Sequence, residues 1–264
     1  MRSLLRRFPF SSFVLLSYAW TWPLAASIER SLVFPMLGLF GPLIAAMVVV
    51  GATEGRGGVR ALWSRFRVRQ KDLPWLAVAV LLPVVLLVPV WLLARWSGPA
   101  IAFRPGPISL LSLLLAILIL GEEVGWRGFG LPYLLARRPA LASSLILGAV
   151  WAFWHLPNFL LPGFPHRGLP FPAFLILVLS YSILFTWLAG KTEGSLMVAL
   201  VFHAALNLFS VEGIDPSRQY WLRALVYGAT AVAVVVAGGF RGFTKVDSGL
   251  AGLNQGLNSS PPEH

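Results

Sequence analysis

The sequence predicts an all-α, polytopic membrane bundle of about eight transmembrane helices. Of its 264 residues, 57% are hydrophobic and only 12% are charged, whereas a soluble domain carries about 25% charged residues. The apolar residues form runs close to the ~20 residues with which a helix crosses ~30 Å of hydrocarbon. Because backbone polar groups in lipid must be satisfied within their own segment, such runs predict helices.

Eight apolar runs are long enough to span. In chain order they cover residues 10–28, 32–52, 73–96, 108–130, 140–161, 171–190, 195–210 and 219–239. A cleaved signal peptide is an alternative for residues 1–28, since Arg6 and Arg7 precede the first run. Trp20, Trp22 and Pro23 interrupt the region where cleavage would occur, which favours a span.

The basic residues near the ends of the runs form two sets of unequal size on the two sides of the membrane, and this predicts the orientation. One set contains Arg2, Arg6, Arg7, Arg56, Arg60, Arg65, Arg67, Arg69, Lys71, Arg137, Arg138, Lys191, Arg241 and Lys245. The other contains only Arg30, Arg95, Arg104, Arg167, Arg218 and Arg223. Because cytoplasmic connections carry the excess of lysine and arginine, both termini are predicted to be cytoplasmic.

Residues 1–243 are predicted to form one bundle, followed by a disordered tail, 244–264, rich in Gly, Asn, Ser and Pro. The net charge of +11 does not indicate nucleic acid, because the basic residues lie between apolar spans. In the basic connection, residues 56–71, apolar side chains alternate with arginines, which predicts an amphipathic helix lying against anionic membrane lipid. There is no cysteine, which excludes disulfides and thiolate sites.

The fourth run contains the first of three polar insertions, with Glu122 and Glu123 followed by Arg127. A charge deep in a bilayer costs about 2.5–3.5 kcal/mol on insertion scales, so each needs a partner or a task. Glu123 and Arg127 have the i, i+4 spacing of a helical ion pair, which predicts a structural role. Glu122 lies about 100° around the helix and is left for another function.

The fifth and seventh runs contain the other two insertions. His155 lies among aromatic residues, and Pro157 is expected to bend its helix. His203 and Asn207 are four residues apart and share a helix face. Each insertion alone fits a structural hydrogen bond. Together they provide a carboxylate, two imidazoles and an amide, which are groups suited to hydrolysis by activated water.

These motifs resemble those of the CPBP family (CAAX proteases and bacteriocin-processing enzymes, or Abi), which are intramembrane glutamic endopeptidases. The similarity covers the Glu-Glu-x-x-x-Arg motif from Glu122, an aromatic-x-x-x-His motif ending at His155, and His203-x-x-x-Asn207, within a motif core of roughly 108–210. Trp151 stands where the family usually has Phe, a conservative aromatic exchange that puts little of the resemblance in doubt.

The resemblance implies roles for the matching residues. Glu122 and His155 would activate the hydrolytic water, while His203 and Asn207 would form the oxyanion hole. Glu123, Arg127 and Trp151 would support the site. The family mechanism is taken to be metal-independent, so no cofactor is expected. Zinc remains an alternative, because Glu122, His155 and His203 could in principle gather one ion.

The sequence thus predicts a multi-pass enzyme of a bacterial plasma membrane that cleaves a peptide or lipidated protein reaching it from the cytoplasmic side. One alternative is a non-proteolytic immunity or scaffold protein that binds a toxin or another membrane protein, as some relatives do. A second is a transporter with a Glu/His proton relay, although no inverted repeat supports it. The sequence does not predict the oligomeric state.

Overall fold

The computed structural model describes residues 2–96, 103–105, 110–211 and 213–238. Within them the α-helices are α1 (Arg2–Arg7), α2 (Pro9–Ala25), α3 (Val33–Gly38), α4 (Gly41–Thr53), α5 (Gly55–Ser64), α6 (Leu73–Trp96), α7 (Leu110–Glu123), α8 (Leu131–Leu135), α9 (Ala140–Trp154), α10 (Leu156–Leu160), α11 (Phe171–Lys191), α12 (Leu196–Leu208) and α13 (Pro216–Ala237). A 3₁₀ turn covers Gln70–Asp72, and a π-helical segment covers Val124–Gly130.

The helices confirm the predicted membrane bundle in its broad form. Among the described residues, four stretches are long and apolar enough to cross a membrane: Val33–Thr53, Gln70–Trp96, Phe171–Lys191 and Pro216–Ala237. Two shorter apolar helices are Ala140–Trp154 and Leu196–Leu208. Large apolar side chains remain exposed on the outer faces of α6 and α13, as expected where lipid is the solvent. The number of eight spans stays a prediction.

Several predicted spans are interrupted rather than continuous. The second divides into α3 and α4, where Pro42 occupies the first turn of α4, a position that proline favours. The fifth breaks at His155, after which Pro157 stands in the first turn of α10. The bend expected beside Pro157 is therefore present. Each break falls near proline because proline lacks the N–H that would continue the helical ladder.

The fourth span changes its helical type at the acidic pair. α7 ends at Glu123, and the following turn is π-helical, a form found mostly at functional sites. Gly125 lies in this turn, where an added Cβ would come within 2.3 Å of the Pro42 side chain and 2.6 Å of its carbonyl. Only glycine allows α4 and the π-helical segment to approach this closely.

The core surrounds this segment. α11 packs between α9 and α13, and α12 packs on α6 and α7. Phe13 of α2 is fully buried, with its ring centroid 5.2 Å from that of Trp126 and 5.1 Å from that of Phe129. The first apolar run is thus a packed element of the bundle, and its crossing of the membrane stays a prediction.

Two features differ from the all-α prediction or fall outside it. Strands β1 (Phe103–Pro105) and β2 (Phe209–Val211) pair in antiparallel fashion, with Arg104 opposite Ser210. This pairing joins the end of α12 to the segment before α7. The predicted disordered tail, 244–264, lies outside the described residues.

The basic connection forms the predicted helix in part, as α5, and it is tied to the bundle. The Arg65 guanidinium donates to the carbonyls of Gly128 (2.7 Å), Arg127 (3.1 Å) and Gly194 (2.7 and 2.9 Å). Leu62 packs with Val124 and Leu196. Arg65 therefore holds the π-helical segment and the turn before α12, and contact of this connection with lipid stays a prediction.

Candidate active site

Glu122, the last residue but one of α7, is buried and faces α9. The indole Nε1–H of Trp151 donates a 2.8 Å hydrogen bond to its Oε2. The same oxygen lies 4.0 Å from His155 Nε2. Trp151 therefore touches the candidate base directly. Phenylalanine, the usual residue of the family at this position, has no N–H and could not make this hydrogen bond.

Glu123 is fully buried and has different partners. Its Oε1 accepts from Arg127 Nη1 at 3.0 Å, which places the predicted ion pair, and it also lies 2.7 Å from His203 Nδ1. The sequence did not predict this second contact. Because a carboxylate accepts and the ring nitrogen must then donate, Glu123 fixes the orientation of His203 as well as that of Arg127.

The Arg127 guanidinium lies between two aromatic rings. Its central carbon is 4.0 Å from the Trp151 ring centroid and 3.7 Å from that of Phe185. Both distances are within the range of cation–π attraction, which strengthens where water is excluded. Arg127 thereby joins α11 to the acidic pair, in keeping with a supporting role.

His155 lies at the break between α9 and α10, where its backbone leaves the regular helix. Its Nδ1 is 2.9 Å from the carbonyl oxygen of Trp151. A carbonyl only accepts, so Nδ1 carries the hydrogen and Nε2 presents a lone pair toward Glu122. Their separation of 4.0 Å is longer than a direct hydrogen bond.

One cavity of about 220 Å³ brings the four predicted catalytic residues together: Glu122, His155, His203 and Asn207 all line it. They come from α7, the end of α9, and α12. The Asn207 side chain is exposed to this cavity and has no hydrogen-bond partner among the described residues. We call this the polar cavity.

The polar cavity contains groups that the sequence analysis did not select. Asn158 and His166 line one part of it, while Tyr181, Tyr220 and Arg223 line another. Arg223 was counted only among the charges that set the orientation, although it lies inside α13. Its place within an apolar helix was the signal that could have identified it, by the same cost that singled out Glu122.

A second cavity, of about 290 Å³, lies beside the polar cavity and is almost entirely apolar. The two share Leu39, His155, Asn158 and His166 in their linings. Ile28, Met36 and Phe164 contribute to the rest of its wall. We call this the apolar cavity. An apolar group bound there would lie next to the candidate catalytic residues.

The position of the apolar cavity conflicts with the predicted approach of the substrate from the cytoplasmic side. Its wall includes the connection from α2 to α4 and the connection from α10 to α11. These belong to the set poor in lysine and arginine, which the charge distribution assigns to the side away from the cytoplasm. The predicted orientation and the predicted approach of substrate from the cytoplasm therefore disagree.

The donor arrangement gives no support to the zinc alternative. Among the residues described, no group of three or more His, Asp or Glu side chains is arranged to hold a metal ion. His155 and His203 instead use their Nδ1 atoms in hydrogen bonds to Trp151 and Glu123. Metal independence itself stays a prediction, which turnover in the presence of a chelator would check.

The fold and the polar cavity define a helical integral membrane protein with a carboxylate–histidine site enclosed by its helices. Residues 104–209 match the family model described as type II CAAX prenyl endopeptidase, Rce1-like. The chain is also 25% identical over 194 residues to a "CAAX prenyl protease 2" of Methanococcus maripaludis, covering 65% of this chain and 69% of that protein. Both matches are to CAAX prenyl proteases, which supports the CPBP (CAAX protease) family for this chain and indicates a membrane protease.

Proposed function

We propose that this chain is an intramembrane glutamic endopeptidase, in which Glu122 and His155 activate a water molecule for attack on a peptide bond. The observation that carries the proposal is that Glu122, His155, His203 and Asn207 line one cavity although three separate helical regions supply them. Each is costly to place within a bilayer, so their convergence favours a chemical task over four independent structural roles.

The attacking water lies between Glu122 Oε2 and His155 Nε2. The 4.0 Å separation of these atoms is too long for a direct bond but suits groups bridged by one water. As the water oxygen bonds to the substrate carbonyl carbon, Glu122 takes its proton as the general base. Glu122 then returns that proton to the departing amine as the C–N bond breaks, so the proton balance closes.

His203 and Asn207 stabilise the developing oxyanion. Asn207 offers an amide N–H toward the cavity, and its lack of a partner among the described residues leaves that donor available. Glu123 accepts from His203 Nδ1 and so fixes the imidazole, and the oxyanion would be met by a hydrogen on Nε2. This arrangement gives Glu123 a role in holding the oxyanion donor.

The substrate class that fits best is a prenylated, CAAX-type protein. The Methanococcus maripaludis relative is named a prenyl protease. The apolar cavity supports the same class here, because it would hold an isoprenoid chain while the attached peptide reaches the polar cavity. Trp154 and Leu118 contribute apolar wall to this cavity.

Turnover of a prenylated CAAX peptide by purified variants tests the proposal. We expect Glu122→Gln to lower kcat by about 10²–10⁴-fold, as loss of a general base does. His203→Ala should lower kcat by about 10²–10³-fold through loss of an oxyanion donor. Glu193→Gln, which changes an exposed carboxylate in the turn after α11, is the matched control and should retain turnover. Equal turnover by all four proteins would remove Glu122 and His203 from the catalytic role.

A further inference from the structure

Arg223 is a partly buried cation of the polar cavity whose role the proposed mechanism leaves open. It lies two turns into α13, and its Nη2 donates to Tyr181 Oη at 2.9 Å and to the Leu206 carbonyl at 3.0 Å. Leu206 directly precedes Asn207 on α12. The guanidinium is therefore fixed beside the candidate oxyanion donor, in the cavity that also contains Glu122.

No carboxylate in the described part of the chain forms an ion pair with Arg223. The ion pairs among the described residues involve Arg69, Lys71, Arg127, His155 and His203, but not Arg223. Its Nε is buried without a hydrogen-bond partner. A guanidinium removed from water is costly unless an anion and hydrogen-bond acceptors meet it. The bonds to Tyr181 and Leu206 are both to neutral oxygens. The positive charge of the guanidinium is therefore not offset by these partners, and some of its N–H groups remain without an acceptor.

We propose that Arg223 binds the free α-carboxylate at the C-terminal end of the substrate, which holds the departing peptide beside Asn207. This inference rests on the proposed function, because it places the carboxylate on the leaving-group side of the scissile bond. Because Nη2 gives its two hydrogens to Tyr181 and Leu206, the carboxylate is met by Nη1, which makes no hydrogen bond among the described residues.

Tyr181 completes this carboxylate site. Its hydroxyl oxygen accepts from Arg223, which leaves its own hydrogen available to donate to a bound oxygen. The site then offers one cation and one neutral donor, and no carboxylate in the described part of the chain pairs with that cation. An anionic lipid headgroup has the same charge, so the test must separate lipid from peptide.

The test compares two prenylated peptides of the same sequence, one ending in a free acid and one in an amide, with protein in a neutral detergent and no anionic lipid. We expect the parent to prefer the acid by about 10- to 100-fold in kcat/KM, mostly through KM, as for loss of a charged hydrogen bond. Arg223→Gln should reduce the acid-to-amide ratio to about one. Glutamine can still donate to Leu206, which protects the fold.

Arg167→Gln is the matched control, because it removes an exposed arginine close in space to the cavity wall but outside its lining. It should keep the parental acid-to-amide ratio. Preservation of that ratio in Arg223→Gln, or the absence of any preference in the parent, would overturn the proposal.

Binding of the two peptides to Glu122→Gln protein separates this inference from the proposed function. If the parent hydrolyses neither peptide, the proposed function fails, yet the affinities still decide the role of Arg223. Tighter binding of the acid that disappears in the Glu122→Gln, Arg223→Gln double variant supports the carboxylate site. Equal binding of acid and amide contradicts it, and binding of anionic lipid that depends on Arg223 in place of the acid peptide would assign Arg223 to a headgroup instead.

Discussion

At the scale of single residues, two adjacent carboxylates have different environments. Glu122 accepts from an indole N–H and faces a histidine at 4.0 Å, whereas Glu123 is held by Arg127 and His203. The difference arises because adjacent helix positions point about 100° apart and so meet different neighbours. One carboxylate is left facing the cavity, while the other is enclosed by cations and donors.

Trp151 gives the first prediction at this scale. Trp151→Phe keeps the ring against Arg127 but removes the hydrogen bond to Glu122, so the candidate base loses its fixed orientation. We expect kcat for the peptide substrate to fall about 10-fold. Trp20→Phe also removes an indole hydrogen bond, to the Leu37 carbonyl, outside both cavities, and should leave kcat unchanged. A parental kcat for Trp151→Phe would show that this bond does not position Glu122.

At the scale of elements, the π-helical segment depends on a connection far away in sequence. A wider helical turn disturbs the regular pairing of carbonyls, and those of Arg127 and Gly128 accept from Arg65 instead. Gly194, before α12, accepts from the same guanidinium. Arg65 thus joins three elements, two of which contain candidate catalytic or supporting residues.

Ion pairs in the turn between α11 and α12 add to the contacts that Arg65 makes there. Glu193 pairs with Arg69 and Lys71, and Arg69 also pairs with Asp72. The hydrogen bond from Lys71, aided by the charge of Arg69, lowers the pKa of Glu193. A lowered pKa in the folded protein means that this contribution is present above the usual carboxyl range and fades as pH falls through the lowered value. Its exposure to solvent keeps the contribution small.

Stability measurements test the Arg65 junction. Arg65→Met removes four hydrogen bonds to backbone carbonyls and leaves those carbonyls without their donor. We expect the free energy of unfolding to fall by about 3 kcal/mol, followed by tryptophan fluorescence during denaturation in detergent. Arg67→Met, at an exposed arginine two residues later, should change it by less than about 0.5 kcal/mol. Equal losses in the two variants would contradict the junction.

At the scale of the whole molecule, the polar groups meet inside the bundle while the outer surface remains apolar. Helices α6 and α13 expose residues such as Leu81, Val85, Val232 and Val236. Both cavities lie toward the connections that are poor in basic residues. Orientation in the membrane therefore decides from which side a substrate reaches the site.

Single-cysteine labelling measures this orientation without background, because the chain has no cysteine. Gly57→Cys lies in the basic connection, where a side chain meets open space, and Glu29→Cys lies in the exposed connection after α2. From the positive-inside rule, an impermeant maleimide applied to intact cells should label Glu29→Cys and spare Gly57→Cys. The reverse pattern would contradict the predicted orientation and restore approach of substrate from the cytoplasm.

Much of the bundle could be predicted from the sequence because its causes are local. Apolar runs of sufficient length must become helices in lipid, and so the runs at 73–96, 171–190 and 219–239 match α6, α11 and α13 closely. The cost of burying polar groups likewise selected Glu122, His155, His203 and Asn207. The same argument missed Arg223, because that residue was counted only with the charges that set the orientation, although the predicted run 219–239 contains it.

The sequence alone predicts a membrane bundle of apolar helices that contain a few polar residues, each of which costs free energy to place in the bilayer. Only the tertiary structure decided which of those residues meet: Glu123 with His203, Trp151 with Glu122, and Arg65 with the carbonyls of the π-helical segment. The reason is that helix formation depends on neighbours in the chain, whereas partner choice depends on the rotation and offset of packed helices. Those are set by contacts such as Gly125 against Pro42, between residues more than 80 positions apart.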